Sequence, residues 1–386
     1  MSHYFAFLEL FSREGGIQSY VMDVLTAYQD WAKEKGCRGT VALLHDAPPE
    51  VNPLDSAQLT FAYLGHESRT MERARLAQHL LQSLLFERPE RVICGHVKLA
   101  PLVYLYCKLL KIPYTLMTYG KEVWGNWEYL SSWEIRGLRG ADQVWAISRH
   151  SRDRLCAAYQ VPPERVQFLP CVVDEAQFTP GPKPAELLER YQLTGYKVLM
   201  TVARLWPEDI YKGVDVTIQA LPQIVAQMPD VKYLVIGRGG DQPRLAQLAA
   251  DLGVSDRVIF AGFVPTAELP DHYRVADAYV MPSQEGFGIV YLEAMARMRP
   301  VIGCTRNGPA DFVTSGIDGF LVPPKNVQAV ATVLEQLLGD PALCAAVGRR
   351  AYRTALDFSW GANALRMIEL LDLSASTDGI RGRCLL

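Results

Sequence analysis

The stretch Pro282-Ser-Gln-Glu-Gly-Phe-Gly-Ile-Val-Tyr-Leu-Glu-Ala-Met-Ala296 decides the fold. It follows the apolar run Ala278-Tyr-Val-Met281, which reads as a buried strand. Pro282 and Ser283 end that strand, Gly286 and Gly288 bracket a tight loop, and Ile289 to Arg297 are good helix formers. The layout is strand, glycine loop, helix. Such a loop lets backbone approach a ligand, and the helix start offers unpaired N–H groups to an anion. Two carboxylates flank it: Glu285 in the loop, and Glu293 more than one turn into the helix. Carboxylates repel phosphate but accept hydrogen bonds from hydroxyls. The ligand asked for is phosphate in the middle and hydroxyl-rich at both ends, as a nucleotide sugar is. The plain alternative is a strand–loop–helix unit with two solvated glutamates.

Outward from this stretch, Lys197–Ala203 reads as a buried strand with Arg204 at its carboxyl end. A polar loop, Lys212-Gly213 and a helix over Val216–Met228 follow. Two cations near one strand end call for an anion. Tyr233–Gly240 is a strand and glycine turn, but only Gly237-x-Gly239 is present. A dinucleotide fingerprint needs a third glycine and an acidic residue about twenty positions on, so a nicotinamide cofactor is set aside. Further strands are read at Arg257–Val264, Pro300–Gly303 and Gly319–Pro323, and helices at Val327–Leu338, Pro341–Leu356 and Trp360–Leu371.

The first half repeats the pattern. Ser2–Leu10 reads as a strand, Gly15 and Gly16 as a turn, and Gln18–Trp31 as a helix. Thr40–Leu44 and Leu59–Leu64 are strands. Met71–Phe86 is a helix that suits a sheet face better than a membrane surface, although its arginines admit a peripheral membrane contact. Arg91–His96 and Tyr114–Glu122 are strands whose carboxyl ends, His96 and Tyr119-Gly120, lie where ligands gather in open parallel sheets. Trp124–Trp133 is aromatic enough for sugar stacking or for a core. Val144–Ser148 closes the sheet. Thr179-Pro-Gly-Pro-Lys-Pro184 is the best linker in the chain.

At 386 residues, 49% of them apolar, two cores are expected. The net charge of -3, with no block of like charge, argues against nucleic acid. Eight scattered cysteines form no C-x-x-C pair, which fits a reducing, cytoplasmic setting; a peripheral place at the inner membrane face is the alternative. The first residues read as a strand rather than a signal peptide, and no apolar run reaches membrane-span length.

Glu285 and Glu293, with Gly-Phe-Gly directly after the first, resemble the Glu-x7-Glu motif of family-4 retaining glycosyltransferases. The likeness covers nearly the whole chain, tightly in the second half and loosely in the first. It implies an α/β chain of the GT-B type, two Rossmann-like domains facing across a cleft. Residues 1–178, completed by 360–386, would form the acceptor domain, and 179–359 the nucleotide-sugar domain. It implies transfer of a hexose from a UDP- or GDP-linked donor to a glycan, lipid or small-molecule acceptor, with retention of configuration. Arg204 and Lys212 would clamp the diphosphate. Glu285 would orient the sugar, and Glu293 would bind ribose. Gly286, Phe287 and Gly288 would form the donor loop, Gly237 and Val264 would frame the nucleotide, and Gly15-Gly16 would face the diphosphate. Tyr119 stands where the family commonly has histidine, and His96 could share that role. Glu122, Ser148 and Arg152 fall with His96 on the acceptor side. Arg299 and Asn307 also depart from the family's glycines. No Asp-x-Asp motif stands near a strand end, so neither metal nor cofactor is expected. A nucleotide-sugar-binding protein without turnover, or an epimerase or phosphorylase on the same fold, stays open.

Overall fold

A computed structural model describes residues 2–13, 15–120 and 130–375. The chain divides into two units, Met1–Cys171 with Gly361–Leu386, and Val172–Trp360. The first unit runs β1 (Ser2–Phe7), α1 (Gly16–Lys35), β2 (Arg38–Leu43), β3 (Leu59–Tyr63), α2 (Arg69–Gln82), β4 (Arg91–Cys94), α3 (Ala100–Leu110), β5 (Tyr114–Thr118), α4 (Ser132–Gly140), β6 (Gln143–Ala146), α5 (Arg149–Tyr159) and β7 (Val166–Phe168). The seven strands are all parallel, in the order β3-β2-β1-β4-β5-β6-β7. Parallel strands are covered on both faces, which is why they read as continuous apolar runs. One face packs Tyr4, Ala6, Val92 and Leu116 against Leu76 and Leu80 of α2 and Val103 of α3. On the other, Phe5 meets the edge of Tyr28 from α1 at 4.8 Å between ring centroids. Burying such side chains contributes about 1.5–3 kcal/mol each.

The second unit runs α6 (Ala185–Arg190), β8 (Lys197–Val202), α7 (Val214–Gln227), β9 (Val231–Ile236), α8 (Gln242–Asp251), β10 (Val258–Gly262), α9 (Leu269–Val275), β11 (Ala278–Val280), α10 (Ile289–Met295), β12 (Val301–Cys304), β13 (Phe320–Val322), α11 (Val327–Gly339) and α12 (Pro341–Leu356). Its parallel sheet has the order β10-β9-β8-β11-β12-β13. The last helix, α13 (Trp360–Ala375), starts at the border of the units. The rest of it lies in the first unit, where Arg366 donates to the Phe168 carbonyl at 2.5 Å. Among the described residues no single helix is long and apolar enough to cross a membrane.

Each sheet reverses its winding once, between β1 and β4 and between β8 and β11. Connections leave such a pair in opposite directions and open a crevice at the carboxyl ends. Gly15, Gly16 and His96 follow β1 and β4. Arg204 and the Pro282–Gly288 loop follow β8 and β11.

Candidate functional site

In the second unit the loops after β8 and β11 press together. Gly213 ends the 3₁₀ turn Pro207–Lys212 with a left-handed φ of 72°. A Cβ there would stand 2.5 Å from the Pro282 carbonyl oxygen, so this approach requires glycine. The Gln284 N–H donates to the Tyr211 carbonyl at 3.3 Å. Lys212 Nζ thereby reaches Glu285 Oε1 at 2.5 Å, with both side chains largely buried. Ser283 Oγ donates to the same carboxylate oxygen at 3.2 Å. Arg204, at the end of β8, is half exposed and donates to Asp209 at 3.0 Å. Tyr211 donates to that carboxylate too, at 2.8 Å. A shallow recess opens beside these groups, lined by Arg204, Trp206, Asp209, Lys212, Asp215 and Arg244.

The two glutamates belong to separate networks. Glu293, on α10, accepts a 2.5 Å hydrogen bond from Tyr273 of α9. Burial pushes its carboxyl up to about 7, partly offset by that bond. The glycine before α10, Gly288, has φ 94°, and the helix it opens has seven residues. The loop backbone packs closely on Gly308, whose N–H donates to the Glu285 carbonyl at 2.9 Å and where a Cβ would stand 2.6 Å from the Gly286 carbonyl oxygen. The Phe287 side chain turns inward and packs on Phe312 and Phe358, so only its backbone stays with the loop. Gly237 is required by the fold itself, because a Cβ would lie 1.8 Å from the Ala203 carbonyl oxygen. Val264 is buried two residues past the end of β10, which is shorter than the sequence suggests, and follows Phe263, whose ring carries the Arg238 guanidinium at 4.7 Å.

In the first unit, Gly15 caps α1 with no side-chain partner, and a Cβ on Gly16 would meet nothing within 4 Å. Tyr119 is buried, donates to the Gly95 carbonyl at 2.7 Å, and lies 6.4 Å from the His96 ring. His96 Nδ1 accepts the Lys98 N–H at 3.1 Å, so the neutral ring carries its proton on Nε2. Ser148 caps α5, its Oγ accepting the Ser151 N–H at 2.9 Å. Arg152 points outward and pairs with Asp153. Glu122, and most of the aromatic run after it, lie outside the described residues. The structure therefore gathers Lys212, Glu285 and Arg204 with its partner in one unit, and Tyr119 with His96 in the other. Ser148 serves a helix end, and Phe287 serves a core. Sequence reading passed over Asp209, Tyr211, Ser283 and Tyr273. Only the first two carried a signal, as polar residues inside a loop already marked by two cations.

A fold of two such units, each with its polar residues at the switch point, is that of the two-Rossmann glycosyltransferases. The model for "Glycosyltransferase Family 4" matches residues 14–177, and that for "Glycosyl transferases group 1" matches residues 186–354. The chain belongs to this family and is a glycosyltransferase. It is 35% identical over 265 residues to the GDP-mannose-dependent alpha-(1-6)-phosphatidylinositol monomannoside mannosyltransferase of Mycolicibacterium smegmatis, covering 66% of this chain and 68% of the relative. A D-inositol 3-phosphate glycosyltransferase of Thermobispora bispora is 35% identical over 60% of this chain and 55% of its own. Among solved structures, Anabaena HepE in complex with UDP superposes with a TM-score of 0.80 at 20% identity, covering 97% of this chain and all of the other, which shows the fold.

Proposed function

We propose that the enzyme moves a hexose from a nucleoside-diphosphate sugar to an acceptor hydroxyl, with retention of configuration. The observation that carries this is the 2.5 Å contact between Lys212 and Glu285 at the switch point of the second sheet. A cation suited to diphosphate there touches a carboxylate suited to sugar hydroxyls, so the two subsites adjoin as they must for one donor. In this reading Arg204 and Lys212 stabilise the charge that develops on the leaving diphosphate. Glu285 orients the sugar, Glu293 accepts ribose hydroxyls, and His96 with Tyr119 contacts the donor from the first unit. The acceptor oxygen bonds to the anomeric carbon as the carbon–phosphate oxygen bond breaks, and its proton leaves with the diphosphate.

GDP-mannose is the first donor to test, because the relative from Mycolicibacterium smegmatis is named for it; UDP-glucose is the second. The acceptors are a phosphatidylinositol monomannoside and D-inositol 3-phosphate, after the named relatives. Seven described cysteines are free thiols, which supports a cytoplasmic setting. The peripheral membrane contact read for Met71–Phe86 stays part of the proposal for a lipid acceptor. Release of nucleoside diphosphate that depends on acceptor supports the reading, and product anomeric configuration read by NMR tests retention. Interconversion of nucleotide sugars without acceptor would replace transfer by epimerisation.

A further inference from the structure

The segment Thr305-Arg-Asn-Gly-Pro309 follows β12 and packs on the loop that carries Glu285. Asn307 stands at the N-cap of the 3₁₀ turn Gly308–Asp311. An asparagine there ordinarily turns its side-chain oxygen back onto N–H groups of the turn it precedes. Asn307 makes no such bond. Its side chain crosses to the neighbouring loop instead, where Nδ2 donates to the Ser283 carbonyl at 2.7 Å. The next residue, Gly308, donates its N–H to the Glu285 carbonyl at 2.9 Å. Two adjacent residues thus hold both ends of Ser283-Gln-Glu285. Within that tripeptide Ser283 Oγ donates to Glu285 Oε1, the same oxygen that Lys212 reaches.

This grip has local costs. Asn307 is buried, and its Oδ1 has no partner among the described residues. Arg306, just before it, is held at φ 60°, in the left-handed region that residues with side chains seldom enter. A buried acceptor without a donor and a strained neighbour persist only where the surroundings over-determine the geometry, and such positions gather where a loop has a task. A capping bond would have satisfied the oxygen. The amide is turned to the Ser283 carbonyl instead, so the place of that carbonyl is what this asparagine secures.

We propose that Asn307 is a positioning residue for glycosyl transfer. By fixing the Ser283 carbonyl it aims the Ser283 hydroxyl and the Glu285 carboxylate, so that Glu285 meets the sugar from beside Lys212. All of these residues lie in the second unit. The proposal rests on the reading of Glu285 as the group that orients the sugar. Asn307 itself touches no reacting atom and acts through Glu285.

The test is a double-mutant cycle in the full-length chain, comparing the unmodified protein, Asn307→Ala, Glu285→Gln and the double variant. The backbone at Asn307 is extended, with φ −151° and ψ −172°, so alanine adopts it without strain. GDP-mannose is supplied with phosphatidylinositol monomannoside or D-inositol 3-phosphate; transfer kcat, donor KM, GDP Kd and Tm are measured. The expected result is kcat lowered at least about tenfold in Asn307→Ala, with donor KM and GDP Kd within about twofold. The double variant is expected to be no slower than Glu285→Gln alone, because a residue that acts through another adds nothing once that one is gone. Losses that multiply in the double variant would place the effect of Asn307 elsewhere and overturn the proposal. A lower Tm with unchanged kcat would mean a structural role alone and overturn it too. If Asn307→Ala does not fold, Asn307→Asp takes its place, since it keeps the shape but sets an oxygen against the Ser283 carbonyl; normal kcat in that variant overturns the proposal. An unmodified chain that turns over neither GDP-mannose nor UDP-glucose overturns the transfer reading and this proposal with it. Turnover in the unmodified chain, equalled by Asn307→Ala, overturns only the role of Asn307.

Discussion

At the scale of single residues, Lys212 and Glu285 do two jobs that mutation can separate. Removing Lys212 leaves a largely buried carboxylate without its cation, at a stability cost of roughly 1–3 kcal/mol. If Lys212 also holds diphosphate, Lys212→Ala lowers turnover at least about tenfold, which is about 1.4 kcal/mol of barrier. Arg204, more exposed, gives the same kinetic loss with little change in Tm. Near-normal rates in both variants would remove the clamp assignment. Glu285→Gln is expected to lower kcat with donor affinity nearly kept, and Glu293→Gln to weaken nucleotide binding; interchanged effects would reverse the two roles. Glu293 adds a pH signature. Its carboxyl is neutral below about 7, where one oxygen becomes a donor and the group is a weaker acceptor for ribose hydroxyls than when ionised. Donor KM is therefore expected to rise as pH falls through that value. Stability runs the other way, because a carboxyl raised in the folded state holds more protons there than when unfolded. Its contribution is full below the ordinary value of 4.5 and is lost as pH rises through about 7. Glu293→Gln should flatten both profiles, and a wild-type KM indifferent to pH would separate Glu293 from the nucleotide.

At the scale of elements, twelve of the thirteen strands among the described residues were legible, because short apolar runs bounded by glycine, proline or charge have few other uses; the exception is β7, three residues long, which pairs with β6 beyond the strand read as closing the first sheet. Val198, Leu199 and Met200 in β8, all fully buried, show how little else such a run permits. Helix ends were harder. The run over Met71–Phe86 breaks at Gln82 into a π turn over Ser83–Glu87, which no periodicity reveals. The proline-rich run at Thr179–Pro184 is the instructive case. Its composition reads as a linker, yet it lies inside the second unit. Arg297 donates to the carbonyls of Gln177 and Thr179, Arg274 donates to Thr179, and Lys183 meets Asp277 at 2.6 Å. These partners lie roughly a hundred residues away, beyond any local reading. Arg297 is buried with its cation over Phe178, and burial lowers its pKa to about 10, so it stays charged at neutral pH. Arg297→Met is expected to lower stability by roughly 1–3 kcal/mol in urea titration, with donor KM unchanged. The site was legible where residue type and strand end coincided, as at Arg204, Lys212 and Glu285. It was not where a long-range partner chose the role, as Tyr273 does for Glu293.

For the molecule as a whole, each unit carries its own parallel sheet and its own switch point. The division of the chain also bears on how the protein is made. The second unit is one continuous segment, Val172–Trp360, whereas the first closes only with α13. Met367, Leu370 and Leu371 are buried on that helix, and their places in the first core stay unfilled until it is synthesised. On the ribosome the order of completion is therefore the reverse of the order of translation. At about 5–20 residues per second, the first unit waits roughly ten to forty seconds for its last helix, with apolar surface showing. Nascent chains halted just before Trp360 should carry a protease-resistant second unit and a cleavable first one.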